Sequence, residues 1–136
     1  MTAGRLSDFL TRHDKPLRSL CRLAFALSIV TVTVLSLLPG AYVPHVRLSD
    51  KICHFIAYCE TAAVGWLAFR AAPAEKLVLP GVIALGGAIE LAQHFVPGRS
   101  MDILDFTVNC LGVLAGYGLA RLIETIWPAP AGSARA

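Results

Sequence analysis

Along the chain, apolar positions gather into long runs instead of alternating or recurring on a single stripe, and short polar breaks separate them. Each run is roughly 20 residues, the length that crosses a hydrocarbon core of about 30 Å. The first covers about 20–38 and stops at Pro39-Gly40, a pair that breaks helices and turns chains. The second covers about 52–71, and the third covers about 77–96 and ends at Pro97-Gly98. The fourth covers about 102–127, beyond which Pro128 and Pro130 forbid continuation. The pattern predicts an all-α, polytopic membrane protein: a four-transmembrane-helix bundle over 20–127, preceded by a basic segment, 1–19, and followed by a disordered tail, 128–136. The first run has the basic flank of a signal peptide. It is long for one, and three more runs follow, so it is expected to be retained.

Composition agrees with the pattern. Of 136 residues, 56% are hydrophobic and 15% charged, with a mean hydropathy of +0.65. A soluble domain carries about 25% charged residues, so this class is excluded, and one helical unit leaves no room for a second domain. Charge placement sets the orientation. Arg5, Arg12, Lys15, Arg18 and Arg22 crowd the N-terminus against Asp8 and Asp14, which the positive-inside rule reads as a cytoplasmic N-terminus and, after four crossings, a cytoplasmic C-terminus. The stretch from Arg5 to Arg18 is expected to lie on the anionic inner leaflet as a short helix. The connections 39–50 and 97–101 then face outward, which leaves Arg47, Lys51 and Arg99 on the wrong side and in need of another role. No nucleic-acid partner is expected, since the basic residues flank an apolar run without aromatic interleaving. Cys21, Cys53, Cys59 and Cys110 lack CxxC spacing and imply neither a disulfide nor a zinc site.

The polar residues inside the runs converge in depth. Asp50, Lys51 and His54 open the second run, and Asp102, Asp105 and Asn109 open the fourth. Glu90 stands 13 residues beyond Leu77, about 20 Å along a helix and therefore near the same outer face. Residues three and four apart share a helix face. Lys51, His54 and Tyr58 make one stripe, and Gly86, Glu90, Gln93, His94 and Pro97 a second. Asp102, Asp105, Asn109, Gly112 and Gly116 make the third, polar at the top and small below. If each stripe faces the bundle axis, the three enclose an outward-opening polar pocket. An aspartate at the centre of a membrane helix costs about 2.5–3.5 kcal/mol, so such residues are kept because they are paired or because they act. Lys51 and Arg99 neutralising Asp102, Asp105 and Glu90 as a structural lock is one reading, and a binding or catalytic pocket is the other. Glu90 and His94 have the spacing to share a divalent metal with Asp102 or Asp105, but no HExxH-type signature is present and no metal or cofactor is expected. Glu60 lies near the midplane on another face, suited to Ser28, Thr31 or Thr33 of the first run or to a second subunit.

"DKICHFIAY" and "ELAQHFVPGRSMDILDFTVNCLGVLAG" together resemble the VanZ-like family of small bacterial membrane proteins, named for a member linked to teicoplanin resistance. Asp50, Lys51, His54 and Tyr58 carry the first half of the resemblance; Glu90, Gln93, Pro97, Gly98, Arg99, Asp102, Asp105, Asn109, Gly112 and Gly116 carry the second. It spans about Ser36 to Gly116 and departs from the family at Cys59 and Glu60, where apolar residues are expected. The resemblance implies a multi-pass protein of the bacterial inner membrane, in the cell envelope, without implying a reaction or transferring resistance. The expected function is binding of a lipid-linked or anionic envelope ligand by Lys51, His54, Tyr58, Glu90, Gln93, Arg99, Asp102, Asp105 and Asn109. The alternative is a small membrane enzyme acting on such a lipid, with His54 or Glu90 as general acid or base and Asp105 orienting it. Expected partners are membrane lipids or a lipid-linked precursor, with a homo-oligomer compatible with either.

Overall fold

The computed structural model describes residues 3–42, 49–70 and 72–128. The described residues are helical, with no strand: α1 is Ala3–Arg12, α2 Asp14–Leu37, α3 Asp50–Phe69, α4 Glu75–Gln93 and α5 Ile103–Ile123, with one 3-10 turn at Gly40–Tyr42. The helix α2 starts at Asp14, well before the expected Leu20, because Pro16 falls in its first turn, where no N–H is needed. Lys15, Arg18 and Arg22 therefore ride on the helix instead of on a separate segment. The expected N-terminal helix is α1, and its Leu10 packs on the Ala63–Leu67–Ala120–Trp127 cluster. The expected tail beyond Pro128 and the position of Arg47 lie outside the described residues.

Three of these helices, α2, α3 and α5, are long and apolar enough to cross a membrane. The third apolar run forms α4, which is 19 residues long and carries Glu75, Lys76 and Glu90. Its end comes at Gln93, and the chain then turns through Pro97 and Gly98, the latter with φ of +73°. That turn meets the one after α2: the Gly40 amide donates to the Pro97 carbonyl at 3.1 Å, and a Cβ on Gly40 would fall 2.5 Å from the Gly98 oxygen.

The centre of the bundle is α3, in contact with α2, α4 and α5. Its tightest neighbour is α5. A Cβ on Gly112 would stand 2.6 Å from the Phe55 carbonyl oxygen, and one on Gly116 would collide with the Cys59 carbonyl. Small residues at these positions let two helix backbones touch, the packing mode used where lipid removes the hydrophobic drive between helices. The interior is small or polar, with Ala62, Thr61, Ala68, Val82, Val113 and Asn109 nearly inaccessible. The exterior is large and apolar, with Leu20, Leu23, Leu27 and Val30 on α2 and Leu111, Leu114, Leu119 and Leu122 on α5 all exposed. An apolar shell this continuous is far beyond the patches that a soluble monomer exposes.

One end of the bundle is closed by Arg70, which is completely buried. Its guanidinium meets Asp14 at 2.5 Å, donates to the Trp127 carbonyl, and stacks 3.7 Å from the Trp127 ring centroid. Asp14 also accepts from the Trp127 indole at 3.2 Å and pairs with Arg18 at 2.9 Å. Arg18 and Arg22 donate to the Arg70 and Ala68 carbonyls at the end of α3. Here basic residues of the N-terminal cluster satisfy carbonyls that a helix leaves open at its last turn. Arg70→Ala removes one of the two cations paired with Asp14 and empties the space beneath the Trp127 ring, and breaking a buried pair costs up to about 3–5 kcal/mol. Arg70→Lys lacks the planar face and the fork, so it restores little of this. Thermal unfolding in detergent micelles checks both, with a marked fall expected for each.

Candidate functional site

At the other end, the starts of α3 and α5 come together with the ends of α2 and α4. Both starting helices are capped by side chains: Ser49 Oγ accepts from the Ile52 amide at 3.4 Å, and Asp102 Oδ1 accepts from the Leu104 amide at 2.7 Å. Asp50 and Asp105 occupy the first turns, where a helix favours negative charge. Lys51 reaches across from α3 to α5 and holds Asp105 at 2.6 Å and Asp102 at 3.1 Å. The Leu104 amide and then the Lys51 ammonium keep the Asp102 carboxyl below the usual aspartate range.

Deeper in the bundle, His54 Nδ1 bonds Asn109 Oδ1 at 3.0 Å. Its Nε2 lies 3.8 Å from Asp50, and Glu90 Oε1 lies 4.0 Å from its Nδ1. Glu90 comes up from α4 and accepts the Asp102 amide through Oε2 at 3.3 Å, while its Oε1 has no hydrogen-bond partner. Tyr58 lies beneath His54 with near-parallel rings at 6.5 Å, in a space left by Gly86. The Tyr58 hydroxyl and the Asn109 Nδ2 are also buried without partners. Above these groups is a cleft of about 470 Å³, walled by Asp50, Lys51, Gln93, Arg99, Asp102 and Asp105 and rimmed by Ser49, Gly98 and Ser100.

Of the residues singled out from sequence, Lys51, His54, Tyr58, Glu90, Gln93, Asp102, Asp105 and Asn109 thus meet at one end of the bundle. Arg99 stands in the cleft wall with its guanidinium turned to α2, donating to the Leu38 carbonyl at 3.3 Å and the Leu35 carbonyl at 3.2 Å. Gln93 does the same for Ser36 at 3.0 Å. Both supply the end of α2, which has no basic residue in its last turn. His94 leaves the group because α4 stops at Gln93; it is exposed, beside Phe95. Glu60 lies outside the cleft on the exposed side of α3, accepting from Ser28, which also bonds Thr61 at 2.7 Å. Asp50, which the sequence places at the start of the second run, stands 3.8 Å from the His54 ring, and its i, i+4 spacing to His54 is the signal for that approach.

A depressed carboxyl stabilises the fold at pH values above its unfolded-state value and loses that contribution as pH falls through the folded value. Asp102→Ala is therefore expected to melt below the wild type at neutral pH, with the two converging as pH drops beneath the usual aspartate range. Asp102→Asn keeps the cap but not the ion pair with Lys51, so it melts between them. Melting followed across acid pH in micelles reads this directly.

Residues 10–124 match the VanZ/LLP1 family. No curated protein and no solved structure matches the chain. The matched range takes in α2 to α5 and both polar ends of the bundle. With its apolar shell and its three helices of spanning length, this chain is a membrane protein that belongs to the VanZ/LLP1 family.

Proposed function

We propose that the chain crosses the bacterial cytoplasmic membrane four times, with both termini inside, and that its cleft binds the polar head of a lipid-linked envelope compound at the outer leaflet. The observation that carries this reading is that three buried polar atoms at this end have no protein partner: Glu90 Oε1, Asn109 Nδ2 and Tyr58 Oη. Buried polar atoms in native folds are nearly always bonded, to protein, to water or to a bound group. They lie below a cleft whose rim stands beside exposed Ile103 and Leu104, so a head can enter while its acyl chains stay in lipid. The basic residues around Arg18, Arg22 and Arg70 support the inward placement of the opposite end, and α4, apolar between Leu77 and Leu91 except for Glu90, supports the fourth crossing.

Charge refines the kind of head. Asp50, Glu90, Asp102 and Asp105 oppose Lys51 and Arg99, and the two cations are already bonded to carboxylates and to α2 carbonyls. An anionic head therefore engages by drawing Lys51 off Asp102 and Asp105 or through an added cation. The enzyme reading is favoured by one feature, the unpartnered Glu90 oxygen 4.0 Å from His54, which suits a proton shuttle once a substrate lies between them.

Native mass spectrometry of the protein purified in mild detergent is expected to show one retained lipid. Tyr58→Phe removes only the hydroxyl, so it should hold this lipid about 2- to 10-fold less tightly without melting lower. If no lipid is retained and Tyr58→Phe melts lower than the wild type, the cluster is a structural lock. A cysteine at position 100, on the rim of the cleft, is expected to react with an impermeant thiol reagent in intact cells. Protection of that cysteine would put the cleft on the inner side.

A further inference from the structure

We propose that Asp50, His54 and Asp105 bind a divalent transition-metal cation at the wall of the cleft. The inference goes beyond the lipid-head reading and holds whether or not a lipid enters. One ligand atom from each of the three residues lies within 4.8 Å of the other two. Ligands to zinc stand about 2.0–2.2 Å from the ion, so the three close on it by a small inward rotation, which the exposed Asp50 at the head of α3 is free to make.

The histidine is already set for this role. Its Nδ1 faces the amide oxygen of Asn109 at 3.0 Å and donates there, so in the neutral ring Nε2 is the nitrogen left to bind an ion. Metal-bound histidines are oriented in this way, with the second ring nitrogen donating to an oxygen acceptor. Nε2 stands 3.8 Å from Asp50 Oδ2, beyond hydrogen-bond reach. A cation between the two, proton or metal ion, makes this approach favourable. A second observation concerns charge. Buried Glu90 has an Oε1 with no hydrogen-bond partner 4.0 Å from Nδ1 of the same ring, on the Asn109 side. With Asp50, Asp102 and Asp105 it makes four carboxylates near the ring, and Lys51 is the only lysine or arginine paired with any of them among the described residues.

The donor set selects the metal. Imidazole with carboxylates suits zinc, iron(II) or manganese, whereas an all-oxygen set suits magnesium or calcium. Three protein ligands leave coordination positions open toward the cleft, as in sites that bind a further ligand instead of serving structure alone. Lys51 competes for the site, because its ammonium holds Asp105 at 2.6 Å. It has a second carboxylate at 3.1 Å in Asp102 to retain when Asp105 turns to the ion.

The test is calorimetric titration of the chelator-stripped full chain in detergent with zinc chloride and, separately, manganese chloride, alongside melting with and without each ion. One equivalent is expected to bind and to raise the melting temperature. Asp50→Asn and His54→Ala should each weaken binding by about 10-fold or more, and Lys51→Met should tighten it. Asp50→Asn is the decisive variant, since an exposed first-turn asparagine leaves the fold intact. The proposal is overturned by the absence of saturable binding of either ion. It is equally overturned by binding that Asp50→Asn leaves unchanged, which would assign the ion to the free thiols, or by a Lys51→Met variant that binds more weakly.

Discussion

The contact between α3 and α5 at Gly112 and Gly116 fixes how far each helix stands along the other. Because the backbones touch there, the register is set by main-chain atoms that cannot swing aside, unlike long side chains. One to three turns above that contact, Asn109 comes level with His54, and Asp105 and Asp102 come within reach of Lys51. A larger residue at either glycine would move one helix away from the other, and all of these pairs would part together. The polar end is therefore a consequence of a backbone contact deeper in the bundle.

The two ends use charge differently. Around Arg70 the charged groups bond mostly one another and carbonyls, with Asp14 alone serving Arg70, Arg18 and the Trp127 indole, although the Arg18 and Arg70 Nε atoms have no hydrogen-bond partner. Around Asp102, Glu90, Asn109 and Tyr58 each keep a buried atom without a partner. Burying polar atoms without hydrogen bonds lowers stability. The first end is an ion-paired knot, and the second is the end on which the proposed binding rests.

Much of the second end was legible in the sequence. The three- and four-residue spacing of Lys51, His54 and Tyr58, and of Asp102, Asp105 and Asn109, is a direct readout of helix faces, and these faces do meet. Most of the polar residues expected at one depth do come together at one end of the bundle, and His94 does not. The role of Arg99 was not legible, because its partners are the carbonyls of Leu35 and Leu38, and a carbonyl has no letter in the sequence. The Arg70 knot was hidden for a similar reason: Asp14, Arg70 and Trp127 sit far apart in the chain and reveal no spacing. Even the start of α2 depends on a local rule, the tolerance of a first turn for Pro16, that an apolar-run criterion does not register. Family membership came from two motifs on the helix ends, where backbone geometry and polar chemistry coincide.

Asp14 is the one fully buried residue of α2, and its inward side chains Leu17, Cys21, Phe25 and Val32 pack on the core while partly exposed. It is also held at its extremities, by Asp14, Arg18 and Arg22 at one end and by Gln93 and Arg99 gripping its carbonyls at the other. Its 24 residues set these grips about 36 Å apart. For this helix, length is the constrained quantity and composition is comparatively free. Exchange of one lipid-facing residue such as Leu23 or Val30 for another apolar one leaves both grips in place. One residue inserted between them turns the far end by about 100° and advances it about 1.5 Å, which takes the last carbonyls out of reach of Arg99. In this sense α2 sets the distance between the two polar ends of the bundle.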